Sequence, residues 1–369
     1  MPFKKYFGVL ISKIMEITDT YIKGIIEEVI SLHYHQKDKE AYPILDGLVR
    51  ELNLLDLNSY INANCKLQII CVSGIITIDK FYLLVGDVYT NVGEYGKALE
   101  AYKLCHFWKQ QVKPYKSLRD KSSAIVYSYR SYNEFFIEDL INQTITLSPP
   151  TEMNDPFDNI LSFWSEKGNL DFLSKNRKNS EIYSRSFDYY RIRSFVANKS
   201  TFETDNDLLK NVQMWSHYAD AHKGLCVKYR LSRHFIKSET PFDNSEDDVY
   251  KVFRLHPVIY KSSYSLEGIK AVDSTELICR KQSAWEIENE VRLICYNPYI
   301  NEKWITEPLK DSIIEEIIFG FRCTERHKAT IYQIAKMLYP NILFSEMYID
   351  ETKSLYDLIK KEYRPCTKS

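Results

Sequence analysis

Residues 79–110 read DKFYLLVGDVYTNVGEYGKALEAYKLCHFWKQ, and this stretch decides the fold of the first part of the chain. Two small residues, Gly86 and Ala98, would let two antiparallel helices approach each other closely. The tyrosines around them provide large rings that can fill the seam between such helices. The stretch therefore predicts a pair of antiparallel helices that pack against each other.

The same stretch resembles a tetratricopeptide repeat, a helix–turn–helix unit that stacks on neighbouring helices. The residues at the packing positions of the repeat are Tyr82, Gly86, Tyr89, Tyr95, Ala98, Tyr102 and Cys105. Because a single repeat buries its apolar face only by stacking, the amphipathic helices predicted within residues 7–54 must supply the partner surface. The resemblance implies an all-helical domain over residues 1–120. Such a domain is either a structural unit or a groove for a peptide or protein partner.

The character of the chain changes after a polar segment, residues 113–121, that contains Pro114. Short β-rich runs follow: Ala124–Tyr129, Thr144–Ser148, Tyr189–Ala197, Leu225–Tyr229, Val249–Tyr260, Glu290–Tyr296, Ile317–Phe319 and Leu343–Tyr348. Helical patterns lie between them, at Phe135–Asn142, Leu208–Ala221, Ser265–Trp285 and Glu325–Leu338. This irregular order, without a glycine-rich phosphate loop, excludes a Rossmann or P-loop domain. It predicts a mixed α+β domain over residues 121–369, and hence an α+β chain.

The composition limits the classes of function. A length of 369 residues favours two domains, and a formal net charge of -1 provides no overall basic field for nucleic acid. The eight cysteines include no C-x-x-C pair and no Cys/His spacing typical of a zinc site. The apolar run Ile69–Ile78 is far shorter than the roughly 20 residues that span a bilayer, and Lys13 and Glu16 interrupt the apolar N-terminal patch. These features predict a cytoplasmic protein that neither crosses a membrane nor holds a metal.

Four polar clusters lie beside the predicted strands of the second domain. They are Y-R-S at 129–131, S-P-P and N-D-P-F-D within 148–158, M-W-S-H-Y-A-D-A-H-K-G at 214–224, and W-E-I-E-N-E-V-R-L at 285–293. With I-I-F-G at 317–320, and in this order, they resemble the bacterial Domain of Unknown Function 2971 family over residues 123–348. The helical region lies outside this resemblance, and the name of the family implies no activity.

Two glutamates, Glu288 and Glu290, stand two residues apart at the start of a predicted strand. Because side chains alternate along a strand, both carboxylates should lie on one face. The pattern is similar to the E-x-E strand of mono-ADP-ribosyltransferases. That resemblance implies that Glu290 holds the nicotinamide-ribose hydroxyl of NAD and stabilises an oxocarbenium-like transition state, while Glu288 orients the acceptor.

The resemblance also implies an NAD-binding set on other strands. Arg130 would bind a dinucleotide phosphate bidentately, beside Tyr129 and Ser131 on the same strand. Residues that would stack on or hydrogen-bond the nicotinamide are Trp215, His217 and Tyr218. The serine-threonine-serine strand of those enzymes is not clearly present here, and Ser148 and Ser194 are the candidates for it.

Structural roles explain the same residues in another way. Glu288 and Glu290 could pair with Arg292, Lys281 or Arg280 on an exposed sheet face. Instead of binding a phosphate, Arg130 could pair with Asp155 or Asp158. Instead of stacking on a ligand, Trp215 could anchor the core. His217 and His222 are five residues apart, about 140° around a helix, so they could not share a metal there.

Three functions follow as hypotheses. The first is an NAD-dependent ADP-ribosyltransferase-like effector of the toxin or phage-defence type, whose helical region senses or recruits a protein or nucleic-acid target. The second is a non-catalytic adaptor that binds a nucleotide or a peptide. The third is a nuclease in which Glu288, Glu290 and aspartate residues hold a divalent metal ion.

Overall fold

The structure is a computed structural model that describes residues 24–54, 69–71, 74–76, 78–111, 115–153, 187–236, 251–263, 278–297, 299–352 and 357–365. The chain divides into two compact units, Met1–Lys109 and Gln110–Ser369. The predicted helical pattern before residue 24, the N-D-P-F-D cluster at 154–158 and most of the helix predicted from Ser265 lie outside the described residues. Within them, no helix is both long enough and apolar enough to cross a membrane.

The first unit contains a helical segment over residues 24–34 and three further helices. The three are α1 (Asp38–Leu54), α2 (Ile78–Val92) and α3 (Tyr95–Gln111). Gly93 has a φ of +90°, which allows the tight turn between α2 and α3. A Cβ atom at Gly86 would lie 2.6 Å from the ring of Tyr102, so glycine is required where α2 and α3 approach. The predicted helix pair is therefore confirmed.

Two details of the first unit differ from the prediction. Tyr95 is 49% exposed, although it was assigned to the packed seam. Because it is the first residue of α3, its side chain points back over the preceding turn. The unit is also not all-helical, because the strands β1 (Ile69–Cys71) and β2 (Gly74–Ile76) form an antiparallel pair. Their β-branched residues favour extended chain.

The second unit is built on an eight-stranded sheet of order β14-β13-β12-β6-β3-β5-β10-β7. Its strands are β3 (Ser123–Arg130), β5 (Tyr190–Val196), β6 (Leu225–Ser232), β7 (Val252–Pro257), β10 (Glu290–Tyr296), β12 (Ile313–Phe319), β13 (Leu343–Ile349) and β14 (Leu358–Glu362). β12 and β13 run parallel, and the other neighbours are antiparallel. Two separate pairs are antiparallel β4 (Thr144–Leu147) with β11 (Ile305–Pro308), and parallel β8 (Ile259–Lys261) with β9 (Arg280–Gln282).

Both faces of the large sheet are covered by helices. On one face, buried strand residues pack against α4 (Glu134–Asn142), α6 (Arg233–Ile236) and α7 (Glu325–Leu338). On the other face, a smaller cluster packs under α5 (Val212–Tyr218) and the 3₁₀ helix Asn206–Lys210. Alternate residues of one strand, such as Val126 and Tyr127, therefore belong to different cores. Helices in the first unit and a mixed sheet in the second agree with the predicted α+β class.

Candidate functional site

Glu288 and Glu290 are brought together by a turn in the chain rather than by a shared strand. Glu288 ends the 3₁₀ helix Ser283–Glu288, and Glu290 is the first residue of β10. Between them Asn289 has a φ of +49°, a left-handed conformation that asparagine tolerates. Lys281 Nζ donates to Glu288 Oε2 at 2.7 Å and to Glu290 Oε2 at 3.1 Å. The two carboxylates do converge, but the prediction that both lie on the strand is wrong.

Glu290 is only 4% exposed and accepts hydrogen bonds from three side chains. Arg292 donates from Nε to Oε1 at 2.7 Å and from Nη2 to Oε2 at 3.2 Å. Ser194 Oγ, on the neighbouring strand β5, donates to Oε1 at 2.6 Å. With the bond from Lys281, these donors occupy about all four acceptor positions of a carboxylate.

The charges around Glu290 keep it ionised. Burial by itself would raise the pKa of Glu290, because a carboxylate loses its hydration. The positive charges of Arg292 and Lys281, with the hydrogen bonds from Arg292 and Ser194, lower that pKa to about 2. Glu290 is therefore an anion at neutral pH, held in place by buried cations.

Glu288 has a different set of partners. It is 5% exposed and accepts from the Tyr218 hydroxyl at 2.6 Å, in addition to Lys281. Tyr218 is half-buried, so its ring connects the buried Glu288 to the surface. We call Ser194, Tyr218, Lys281, Glu288, Glu290 and Arg292 the Glu290 cluster.

Three half-buried side chains lie next to the Glu290 cluster or to one another, and we call them the rim: Lys199, Tyr260 and Trp285. The Tyr260 hydroxyl accepts from the backbone N–H of Glu290 at 2.9 Å. Lys199 Nζ lies 4.3 Å from the centroid of the Tyr260 ring, and Lys281 Nζ lies 5.2 Å from that of Trp285. Each of the two rings thus lies beside an ammonium group, that of the half-buried Lys199 for Tyr260 and that of the buried Lys281 for Trp285.

Arg130 does not converge with the two glutamates. Tyr127 of β3 is directly opposite Val196, and Val196 is directly opposite Glu290, so these three residues share one face of the sheet. Arg130 is three residues beyond Tyr127 and therefore faces the other side. The sequence leaves open whether Arg130 shares a pocket with the glutamates; in the structure it lies on the opposite face from Glu290, because a separation of an odd number of residues reverses the face of a strand.

The described partner of Arg130 is an aspartate on α4. Arg130 Nη1 donates to Asp139 Oδ2 at 2.9 Å, and the guanidinium lies 5.6 Å from the ring centroid of Phe136. Asp155 and Asp158, the partners considered from the sequence, lie outside the described residues. Arg130 thus ties the end of β3 to the helix above it.

Tyr129, the residue before Arg130, packs in the smaller core, against which Tyr218 of the Glu290 cluster also packs. Tyr129 is buried, its hydroxyl donates to the Leu208 carbonyl at 2.9 Å, and its ring contacts Trp215 edge-on. Ser131 is half-buried directly after β3. Tyr129 therefore belongs to the smaller core.

The three residues expected around the nicotinamide have different surroundings. Trp215 is fully buried, and its Nε1 donates to the Leu209 carbonyl at 2.7 Å, as expected for a core anchor. His217 is exposed on α5. Tyr218 is the one member of this set that belongs to the Glu290 cluster.

The motif H-K-G lies in a tight turn after α5. Asp220, Ala221 and His222 all have left-handed backbone, with φ of +47°, +50° and +68°. A Cβ at Gly224 would collide with the carbonyl oxygen of Arg130, and a Cβ at Gly320 would collide with that of His222. The glycines of the H-K-G and I-I-F-G motifs thus have a structural role, because they let the ends of β3 and β12 close around the turn.

Residues that the sequence analysis missed come from segments without a motif. Lys199 follows β5, Tyr260 lies in β8 and Asp139 lies in α4. Strand pairing brings Tyr260 opposite Lys281, and no local spacing indicates this. Ser194, in contrast, was a candidate for the serine strand, and it contacts Glu290. Within the described ranges, no group of three or more His, Cys, Asp or Glu side chains is placed to hold a metal ion.

Comparison with known proteins gives one match. Residues 214–293 match the family described as "Protein of unknown function (DUF2971)". The matched segment supports the resemblance drawn from the motifs, and it includes Tyr218, Lys281, Glu288, Glu290 and Arg292. No curated protein and no solved structure matches the chain.

Proposed function

We propose that the Glu290 cluster and its rim bind a nucleotide, with NAD as the first ligand to test, and that the domain recognises this ligand without transforming it. The observation that carries the proposal is the contrast between the two parts of the site. The carboxylate of Glu290 is fully engaged by protein donors, whereas the rim presents half-buried rings and an ammonium group.

The rim has the chemistry that a nucleotide requires. The faces of Trp285 and Tyr218 can stack on a base, a contact that tolerates any base because every base has a π-face. Ammonium groups attract phosphate oxygens as charge-assisted hydrogen-bond donors. A ligand with an aromatic part and an anionic part therefore matches the rim better than a purely apolar ligand does.

The hydrogen bonds of Glu290 favour recognition of a nucleotide over its chemical conversion. In ADP-ribosyl transfer, Glu290 would accept a hydrogen bond from a ribose hydroxyl. Since its acceptor positions are filled, a buried donor would first have to leave, and an unsatisfied buried donor costs about 1–3 kcal/mol. Recognition requires no such change.

The first unit has a complementary role in this proposal. The helix pair of α2 and α3 resembles a tetratricopeptide repeat, which implies recruitment of a peptide or protein partner. The protein would then be an adaptor that couples nucleotide binding to partner binding. A toxin or phage-defence role follows only from the resemblance to bacterial effectors.

Calorimetric titration of the full-length chain with NAD, together with an assay for released nicotinamide, tests the proposal. We expect NAD to bind and to raise the melting temperature, with no nicotinamide released. Trp285→Ala should weaken NAD binding about tenfold or more, since stacking contributes about 1–3 kcal/mol per base. Trp304→Ala is the matched control, because Trp304 also lies beside a lysine, 4.6 Å from Lys303 Nζ. Equal affinity in both variants would contradict the assignment of the rim.

ADP-ribosyl transfer is the second candidate, and the contact of Ser194 with Glu290 favours it. The strands that carry Arg130, Ser194 and Glu290 are neighbours, in the order β3-β5-β10. A serine strand beside the glutamate strand is what the transferase resemblance implies. Transfer of label from NAD to an extract protein by the wild type, but not by Ser194→Ala or Glu290→Gln, would replace the recognition proposal with catalysis.

A further inference from the structure

The buried charges of the Glu290 cluster balance each other. Lys281 contacts both glutamates, and Arg292 contacts Glu290 through two nitrogens. Two cations thus neutralise two anions through direct contacts of 2.7–3.2 Å. Among the residues that the structure describes, the rim therefore supplies the charge that this site can offer to a ligand.

Lys199 is the cation of the rim. Its Nζ donates to the Val258 carbonyl at 3.5 Å and lies over the ring of Tyr260. Neither contact neutralises its charge, because a carbonyl and an aromatic face carry only partial charges. The half-buried ammonium can therefore still bind an anion.

The position of Lys199 is held from several sides. Ser117 Oγ donates to its carbonyl oxygen at 3.0 Å, and the preceding Asn198 side chain accepts from the N–H of Ser200 at 3.1 Å. The Tyr260 ring beneath Nζ is itself held by the backbone of Glu290. The backbone that carries Lys199 and the ring beneath its Nζ are therefore positioned before a ligand arrives, which lowers the entropic cost of binding.

Charged and titratable groups act on Lys199 from each element packed near it. Burial lowers the pKa of Lys199 to about 8, and the carboxylates of Glu290 on β10 and Glu286 on the 3₁₀ helix oppose this shift. Tyr260 on β8 lies below it, and Lys281 on the adjacent β9 is engaged with Glu288 and Glu290. Burial also raises the pKa of Tyr260, so this hydroxyl stays neutral in the relevant range.

We propose that Lys199 binds a phosphate group of the nucleotide, so that the site selects phosphorylated ligands over nucleosides. The proposal rests on the proposed function, because it requires a ligand at the rim. It gives Lys199 the role of phosphate ligand that the transferase resemblance implied for Arg130.

The proposal has a distinctive dependence on pH. A bound phosphate stabilises the ammonium form, so binding returns the pKa of Lys199 toward its ordinary value of 10.5. The free protein must take up a proton to bind whenever the pH is above about 8. Affinity should thus fall about twofold between pH 7 and pH 8 and should approach a tenfold fall per unit above that. NAD suits this test because its pyrophosphate does not titrate in this range.

Calorimetric titrations of the full-length chain with NAD and with adenosine, between pH 7 and pH 9.5, test the role of Lys199. We expect Lys199→Met to weaken NAD binding about 10- to 100-fold at pH 7, the value of one charged hydrogen bond, and to leave adenosine binding unchanged. Lys199→Arg should keep NAD binding and abolish its dependence on pH. Lys261→Met, at an exposed lysine of β8, is the matched control and should behave as the wild type.

Different results separate this inference from the proposed function. If NAD binds but Lys199→Met binds it equally well, Lys199 is not the phosphate ligand and the nucleotide function stands. If NAD and adenosine fail to bind, the nucleotide function falls, and titration with inorganic pyrophosphate becomes decisive. Pyrophosphate binding that Lys199→Met abolishes would keep Lys199 as an anion ligand. If pyrophosphate does not bind, or binds equally well to Lys199→Met, the assignment of Lys199 as a phosphate ligand is overturned.

Discussion

Each of the two units contains a buried carboxylate that lies among cations, Asp46 in the first and Glu290 in the second, but the cations differ in exposure. In the helical unit, Asp46 is 5% exposed and accepts from the Tyr89 hydroxyl at 3.0 Å, from Lys97 and from Arg50. The side chains of its cations are largely in solvent, at 75% exposure for Arg50 and 45% for Lys97. In the sheet unit, the cations of Glu290 are buried with it, at 1% for Arg292 and 5% for Lys281.

This difference shows that a lowered pKa does not report how much a charge cluster stabilises the fold. Burial by itself raises the pKa of Asp46, but its cationic partners outweigh burial and lower that pKa to about 2. The same opposing causes bring the pKa of Glu290 to about 2. Yet water can replace Arg50 or Lys97, whereas nothing can hydrate Glu290 if a partner is lost. The helical network therefore resembles a surface ion pair, and the sheet network is part of the core.

Removal of one cation from each cluster is the strongest test of this contrast. Arg292→Met leaves Glu290 buried with reduced compensation, and we expect the second unit to lose about 3–5 kcal/mol of unfolding free energy. Arg50→Met is the matched change in the helical unit and should cost much less, because the Arg50 side chain lies largely in solvent. Hydrogen exchange measured by mass spectrometry on the full-length chain reports each unit separately. Similar costs in both units would contradict the contrast.

Glycine substitutions extend the comparison to the backbone. Gly224→Ala places a Cβ against the carbonyl oxygen of Arg130. Because the contact is with backbone at a strand end, neither segment can shift easily, and we expect the free energy of unfolding to fall by about 1–3 kcal/mol or more. Gly47 lies inside α1 with no atom within 4 Å of an added Cβ, and Gly47→Ala should stabilise the helical unit by about 0.5–1 kcal/mol. Thermal denaturation of both variants gives the sign of each effect. A destabilising Gly47→Ala would show that the helical unit is also closely packed there.

Acid should reduce the contribution of the two carboxylates over different pH ranges. A lowered folded-state pKa stabilises the fold above the ordinary pKa, and this stabilisation is lost as the pH falls toward the folded value. For Glu290 the range runs from 4.5 down to about 2, and for Asp46 from 3.8 down to about 2. The difference in melting temperature between the wild type and Glu290→Gln should therefore begin to shrink near pH 4.5. The corresponding difference for Asp46→Asn should stay constant until about pH 3.8, and a common onset would contradict these ranges.

Periodic segments were predicted well because their patterns are local. The helix Glu325–Leu338 was predicted with the bounds that it has in the structure, and the strands β3, β5 and β10 were predicted to within one residue at each end. Segments near the ends of the sheet were predicted less well. The run Val249–Tyr260 contains two strands, because the chain leaves β7 at Pro257 and pairs again in β8. Arg280–Gln282, predicted as helix, is the strand β9, since pairing with β8 overrides its weak helical pattern.

The strand that begins at Glu290 and the glutamate pair beside it could be read from the sequence, because period-two patterns are local, but the turn at Asn289 that brings the two carboxylates to Lys281 could not. The helix pair could also be predicted, because Gly86 and its ring partner Tyr102 lie within one short segment, whereas Gly224 is required by a contact with the distant Arg130 carbonyl. Only the tertiary structure decided that Arg130 faces away and that Lys199 lies beside Glu290. The face of a strand residue depends on pairing and register across distant segments, and local spacing carries no record of them.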